Sequence, residues 1–312
     1  MAKRGVEDFT PTPAQLEAAD KFKPSTYNLP KKRLSNSQVE MYLRCPRQYY
    51  FRYVRDEKRP PGIAMILGTG AHAALEFTHH HIVDSGAPAS NEFVMDAFSA
   101  SFDKGVPNIP KADWEKEETT PGAIKDVGVR LVSLYNQKIA PQVKPQVIGE
   151  GKEQVRGIEK EFTVDIEGIP VLGFIDLIDT NDTSLVSAEE LKLFQDQGKE
   201  IPAVMRTSVI DFKTKAKSLS QADVDNALQL TLYSYAEKIP SVRFDQLLNQ
   251  KVPKLKQMSS IRQASDHAWL KYVVKGVARA ISAGVFPPCN PSEWCCSLKW
   301  CGFFGLCRGK KV

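Results

Sequence analysis

Asp211 and Lys213 stand two residues apart in the apolar run VIDFKTK, residues 209–215. In a strand, residues i and i+2 share a face. The carboxylate and the ammonium therefore point one way, and Ile210 and Phe212 the other. An unpaired charge taken out of water costs several kcal/mol. Three arrangements relieve that cost: a plain ion pair, a metal ion held by the carboxylate, or a reacting group beside the lysine. Asp176 raises the same question in GFIDLID, where it lies between Ile175 and Leu177 in a segment apolar on both faces. Two carboxylates about 4 Å apart repel by roughly 4 kcal/mol at an effective dielectric of about 20. A lysine offsets part of this and a divalent cation more, and hard oxygen ligands suit Mg2+ or Mn2+.

Two further pairs have helical spacing. His72 and Glu76 are i and i+4, hence on one helix face, as are Gln229 and Tyr233. Alone, such pairs read as surface hydrogen bonds or a satisfied interior histidine. The run His79, His80 and His81 reads as a solvated helix end. Six cysteines are present, and five of them (Cys289, Cys295, Cys296, Cys301 and Cys307) fall in the last 24 residues; the sixth is Cys45. Zinc ribbons carry short paired knuckles. Here four residues separate Cys296 from Cys301 and five separate Cys301 from Cys307. A cytosolic chain does not spend such a group on disulfides, so a metal or cluster site is expected. Trp294, Trp300, Phe303 and Phe304 are expected to shield it from water.

The elements that must position these residues follow from pattern. Residues 1–34 read as a flexible, basic N-terminal arm. Ser35 or Ser37 caps a helix from about Gln38 that breaks at Cys45-Pro46, and a second helix follows to about Val54. LGTGAHAALEFTHHH reads as a helix opening at Gly68-Thr69, with small residues allowing close approach to a sheet. Helices are expected over 91–105 and 122–140. A hairpin follows, strands 157–166 and 169–179 turning at Glu167-Gly168. Next come a polar stretch over 181–206, a strand over 207–213, a helix over 220–237, a strand over 241–249 and a helix over 264–283. This order predicts one α/β core, a mixed sheet flanked by helices.

Composition is that of a globular chain: 312 residues, 42% hydrophobic, 25% charged, net charge +5. The excess charge is compatible with a polyanion. Its placement says more: YLRCPRQYYFRYVRDEKRP holds five arginines, one lysine and four tyrosines. These suit phosphates and bases, or an amphipathic helix with its tyrosines turned inward. No apolar run would span a bilayer and none resembles a signal peptide, so the expectation is the cytoplasm of the cell, or of a host.

In their order along the chain, GTGAHAALE, GFIDLID, VIDFKT and QLTLY resemble the RecB-like branch of the PD-(D/E)xK nuclease superfamily. CPRQYYFRYV is similar to the cysteine-bearing helix of its iron–sulfur members, among them CRISPR-associated exonucleases and phage exonucleases. The resemblance covers about residues 35–307. It implies a restriction-endonuclease-like core over 35–312 as a single nuclease domain, with 35–60 and 285–312 forming an iron–sulfur-stapled helical cap. It implies His72, Asp176, Asp211 and the Phe212 carbonyl as ligands to Mg2+ or Mn2+. Lys213 would orient or activate the attacking water, Glu76 would support the site, and Gln229 and Tyr233 would position Lys213 or the DNA. Cys45, Cys296, Cys301 and Cys307 would hold a four-iron, four-sulfur (4Fe–4S) cluster, with Cys295 an alternative to Cys296. The activity implied is a DNA exonuclease acting on single-stranded DNA or DNA ends in replication or recombination, with proteins of those processes as partners. No GxxxxGK followed by Ser or Thr is present, so no helicase motor is expected. The rivals are a silent DNA-binding protein, a zinc-stabilised assembly protein and an endonuclease of the same superfamily. One departure is the separation of Asp176 and Asp211 by 34 residues. It is read as an insertion at the strand tips, with Asp179 the fallback ligand should Asp176 be displaced.

Overall fold

The computed structural model describes residues 27–309. Residues 1–26, most of the expected basic arm, lie outside the described residues, as do 310–312. The described chain forms two compact units. One holds the residues up to Arg59, Thr163–Gly173 and those from Gln263 onward; the other holds Pro60–Phe162 and Phe174–Arg262.

In the first unit, strand β1 (Leu34–Ser35) leads into helix α1 (Asn36–Arg44), and the Ser35 side chain accepts the Gln38 N–H at 3.4 Å as the N-cap. Cys45 is extended, φ −161°, as the residue before proline prefers. Pro46 then opens α2 (Pro46–Tyr49), which runs on as a π-helical turn, Tyr50–Val54. Tyr42 and Tyr49 are buried and Tyr50 and Tyr53 half-buried. Tyr42, Tyr49 and Tyr50 pack around Phe286, as the inward-facing reading of this stretch requires. β1 runs parallel to Val171 and Leu172. The long helix Ala264–Ser282 and the cysteine-bearing segment, ending in the short helix Phe304–Arg308, complete this unit.

The second unit opens with four helices: α3 (Ile63–Ser85), α4 (Asn91–Gly105), α5 (Lys111–Lys116) and α6 (Pro121–Lys138). A two-stranded ribbon follows, β2 (Val147–Ile148) with β3 (Val155–Arg156). The hairpin is β4 (Ile158–Ile166) and β5 (Ile169–Asp179), each divided between the units. Its turn residues Glu167 and Gly168 have φ of 56° and 80°, the two positive values that a tight two-residue hairpin needs. Helices α7 (Ala188–Asp196) and α8 (Ala203–Arg206) fill the polar insertion. Then come β6 (Ser208–Lys215), α9 (Gln221–Asp225), α10 (Leu228–Glu237), β7 (Ser241–Leu248) and β8 (Lys254–Ile261). The strands run β5-β6-β7-β8: β6 is antiparallel to β5 and parallel to β7, and β8 is antiparallel to β7. This is a mixed sheet. On one face Ile210 and Phe212 join a core with Leu67, Leu75, Phe98, Leu131 and Tyr135 of α3, α4 and α6. Helix α10 packs on the sheet from the Asp211 and Lys213 side, reached by the Lys213–Gln229 hydrogen bond.

Several expectations are corrected. Helix α3 begins at Ile63, not Gly68, so Gly68 and Gly70 are mid-helix. The close approach at Gly70 is to helix α4 rather than to the sheet, since a Cβ there would lie 2.9 Å from the Phe98 ring. The helix expected over 220–237 breaks between Asp225 and Leu228. Strand β8 was not expected. Its sequence, KLKQMSSI, is half charged or hydroxylated, which suits an edge strand and hides the usual apolar alternation. Among the described residues, no helix is long and apolar enough to cross a membrane.

Candidate active site

The ladder between β5 and β6 ends at Leu177↔Ile210. One step further, Asp176 and Asp211 face each other, and the strands no longer satisfy one another's backbone. The Phe212 N–H instead donates to Asp176 Oδ2 at 2.7 Å, and the Phe212 carbonyl lies 3.1 Å from His72 Nε2. Two ladder groups thus pass from strand pairing to side chains. His72 Nδ1, from α3, lies 3.6 Å from Asp176 Oδ2 and 3.8 Å from Glu159 Oε1. Ligand atoms of His72, Glu159 and Asp176 all lie within 4.8 Å of one another.

The charges here are unbalanced. Burial, and then the charge of Asp211, push the Asp176 carboxyl up to about 8. Burial opposes the His72 imidazolium, but the Glu159 hydrogen bond and the charges of Asp176 and Asp211 outweigh it and raise His72 to about 9. A buried carboxyl held back from ionising beside a second carboxylate is what a divalent cation relieves. Oxygen donors with one imidazole fit Mg2+ or Mn2+.

Beside this group runs a chain of hydrogen bonds. Lys213 Nζ lies 2.7 Å from Asp211 Oδ2 and donates to Gln229 Oε1 at 2.7 Å; Gln229 Nε2 donates to the Tyr233 hydroxyl at 2.7 Å. Residues 229 and 233 are one turn apart on α10, so the helix holds the amide while the tyrosine, 4% exposed, anchors it. Lys213 also lies 5.2 Å from the Phe244 ring centroid. Burial, and then Asp211 and Asp176, raise the Tyr233 hydroxyl far above its ordinary value, so it stays neutral.

Other expected residues go elsewhere. Glu76 faces His80 at 3.9 Å. Asp179 is on the opposite sheet face: it accepts the Lys144 and Asn181 N–H groups and lies 3.7 Å from Arg243, which also pairs with Asp182 and Asp245. His79, expected to be solvated, is fully buried, stacked on Phe212 at 5.6 Å and 3.2 Å from the Tyr135 hydroxyl; burial lowers it to about 3. Glu159 was not singled out from sequence. In IEKEFTVDI, strict alternation puts it with the exposed Glu161 and Thr163. A positive φ of 43° breaks that alternation and re-aims its carboxylate.

In the first unit, all six cysteines line one small cavity with Arg47, Gln48, Phe51 and Phe303. The Cys289 and Cys295 sulfurs are 3.6 Å apart, the Cys289 N–H points at Cys45 Sγ at 3.4 Å, and Arg308 donates to Cys296 Sγ at 3.4 Å. Cys295 is the more buried of the adjacent pair. Among the described residues no three cysteine sulfurs lie within 4.8 Å of one another. Tetrahedral zinc would hold four sulfurs at roughly 3.8 Å from each other, given Zn–S bonds of about 2.3 Å. The expected aromatic shield is only partly present: Phe303 is buried and stacks on Phe51, but Trp294 and Trp300 are each 61% exposed.

The sequence profile of the PD-(D/E)XK nuclease superfamily matches residues 33–192 and 196–308. The chain belongs to this superfamily. It is therefore a nuclease, of a kind that hydrolyses DNA with Mg2+ or Mn2+. No curated protein matches the chain. Among solved structures, a candidate exonuclease from Eubacterium rectale superposes with a TM-score of 0.50 at 11% identity, covering 93% of this chain and 94% of that one, a likeness of fold. SSO0001 gives a TM-score of 0.40 at 12% identity over 95% and 93% of the two chains.

Proposed function

We propose that this nuclease is a DNA exonuclease of the RecB-like, iron–sulfur type, similar to phage exonucleases, acting on single-stranded or resected ends in replication or recombination. The observation that carries the reading is the opening of the β5–β6 ladder, which gathers His72, Asp176, Asp211 and the Phe212 carbonyl beside Lys213. Glu159 joins them as a further carboxylate. The likeness of fold to a candidate exonuclease agrees with attack at ends. Residues 35–312 would act as one nuclease domain.

A bound Mg2+ or Mn2+ would supply Lewis acidity toward the phosphate and its water. The chain's own residues do the rest. Asp176 and Asp211 orient the site, with the Phe212 N–H fixing one Asp176 oxygen. Lys213, held between Asp211 and Gln229, keeps a proton-bearing ammonium where negative charge develops on the phosphate, an arrangement already organised before reaction. Gln229 and Tyr233 restrict the lysine to that position.

In the cysteine cavity, Cys45, Cys296, Cys301 and Cys307 would hold a 4Fe–4S cluster, with Cys295 in place of Cys296 as the variant assignment. Its work would be mechanical: it ties α2 to the C-terminal segment and closes a loop of some 250 residues, worth several kcal/mol.

The test is digestion of end-labelled linear DNA by protein purified without oxygen, with added Mg2+ or Mn2+. Asp211→Ala and Lys213→Ala are expected to fold, keep their iron and lose at least about 100-fold in rate. Undiminished cleavage by either removes the proposed site. Cleavage of closed circular DNA at a rate equal to that of linear DNA would make the enzyme an endonuclease.

A further inference from the structure

The cysteine segment carries two tryptophans that the nuclease site leaves unused. Trp294 and Trp300 are each 61% exposed, although each indole could bury some 200 Å². They meet edge to face, centroids 6.1 Å apart and rings inclined at 79°. The pair braces itself and leaves indole face open to solvent. Buried Phe303, three residues past Trp300, shows that this segment can turn aromatics inward where it needs them as core.

Cations accompany the indoles. Lys299 Nζ lies 5.0 Å from the Trp300 ring centroid. Arg59 packs against Gly302 and over Phe303, its guanidinium 5.2 Å from that ring centroid. Arg52, Lys58 and Arg59 are exposed in the adjoining stretch of the same unit. Glu293 is the one carboxylate between Cys289 and Cys307. Open aromatic faces among flexible cations match a single nucleic-acid strand, whose bases stack while its phosphates are neutralised. A protein partner fits less well, because lysine is depleted in the cores of protein interfaces.

We propose that Trp294 and Trp300 form a stacking platform for the bases of single-stranded DNA, with Lys299 and Arg59 on the phosphates. The proposal rests on the reading of the chain as a DNA nuclease, and it gives the cysteine segment a second task besides holding an inorganic cluster. Stacking is worth about 1–3 kcal/mol per base, so each tryptophan lost should weaken binding about tenfold.

The experiment uses the full chain without added divalent cation, so that the strand survives. A labelled oligothymidylate is titrated by anisotropy, and quenching of indole fluorescence is followed in parallel. Wild type is expected to bind with quenching. Trp294→Ala and Trp300→Ala should each weaken binding about tenfold, with Trp→Phe losing less. Circular dichroism and iron content report folding. If the alanine variants misfold, the phenylalanine variants and wild-type quenching decide, and absence of quenching overturns the proposal. Unchanged affinity in a folded double variant, Trp294→Ala with Trp300→Ala, also overturns it, and assigns the surface to another occupant such as a protein. Hydrolysis of bis(p-nitrophenyl) phosphate, which carries no bases to stack, should be unchanged in the tryptophan variants, while KM for long single strands rises. Wild type that cleaves no phosphodiester sinks the nuclease reading; cleavage with unaltered strand binding in the double variant sinks only the platform.

Discussion

Glu159 illustrates how a single backbone angle can decide a site. At φ 43° it occupies the left-handed region, which costs a non-glycine residue about 1–2 kcal/mol, yet it brings a carboxylate within 3.8 Å of His72. Glu159→Gly trades that strain against glycine's larger unfolded-state entropy and the lost His72 contact, so it is expected to leave the stability of the metal-free protein within about 1 kcal/mol in urea titration while weakening Mn2+ binding measured calorimetrically. Equal Mn2+ affinity in variant and wild type would remove Glu159 from the ligand set. On the opposite sheet face, burial pushes Asp179 up to about 6, partly offset by the Lys144 N–H, Arg243 and the Asn181 N–H, with Asp182 adding to the rise. The unfolded chain releases that proton at about pH 4. The contribution of Asp179 to stability is thus complete below that pH and declines as pH rises through 6. Relative to Asp179→Asn, wild type should lose about 2 kcal/mol between pH 4 and pH 7. Parallel stability curves for the two proteins would refute this.

At the scale of elements, the site depends on a ladder that stops early and on helices that approach closely. Helix α6 crosses α4 at Gly128, where a Cβ would overlap the Phe98 ring. Phe98 is fully buried, so it has nowhere to move. Gly128→Ala is expected to destabilise by about 1–3 kcal/mol by overpacking, read from denaturant unfolding, despite alanine's better helix propensity. Because α3 belongs to the same core, the variant should also shift His72 and lower the rate. A variant as stable as wild type would show that the ring can rotate away. The insertion between Asp176 and Asp211 leaves the site intact for a topological reason. It is folded as α7 and α8, with α7 held by a Ser187–Glu190 capping box, and the chain returns as an antiparallel neighbour in register.

For the whole molecule, the cysteine cavity joins segments some 250 residues apart in sequence. On the proposed cluster reading, Cys45→Ser is expected to abolish iron binding and to lower stability by several kcal/mol, seen as a fall in Tm together with loss of cluster absorption. Zinc in metal analysis, without iron or sulfide, would replace the cluster by a simple structural ion.

The sequence by itself determined the strands that carry Asp176, Asp211 and Lys213, the break at Cys45-Pro46, the hairpin turn and the helical pairing of Gln229 with Tyr233. These are local: alternation, proline sterics and a spacing of one turn act over a few residues. The tertiary structure alone decided that Asp176 and Asp211 meet across an opened ladder and that Glu159 rather than Glu76 stands beside His72. It alone placed His79 in the core and left Trp294 and Trp300 in water. Each of those outcomes depends on which distant surface a side chain meets, or on a backbone angle that residue type does not announce, and burial is a property of the assembled fold rather than of any short run of residues.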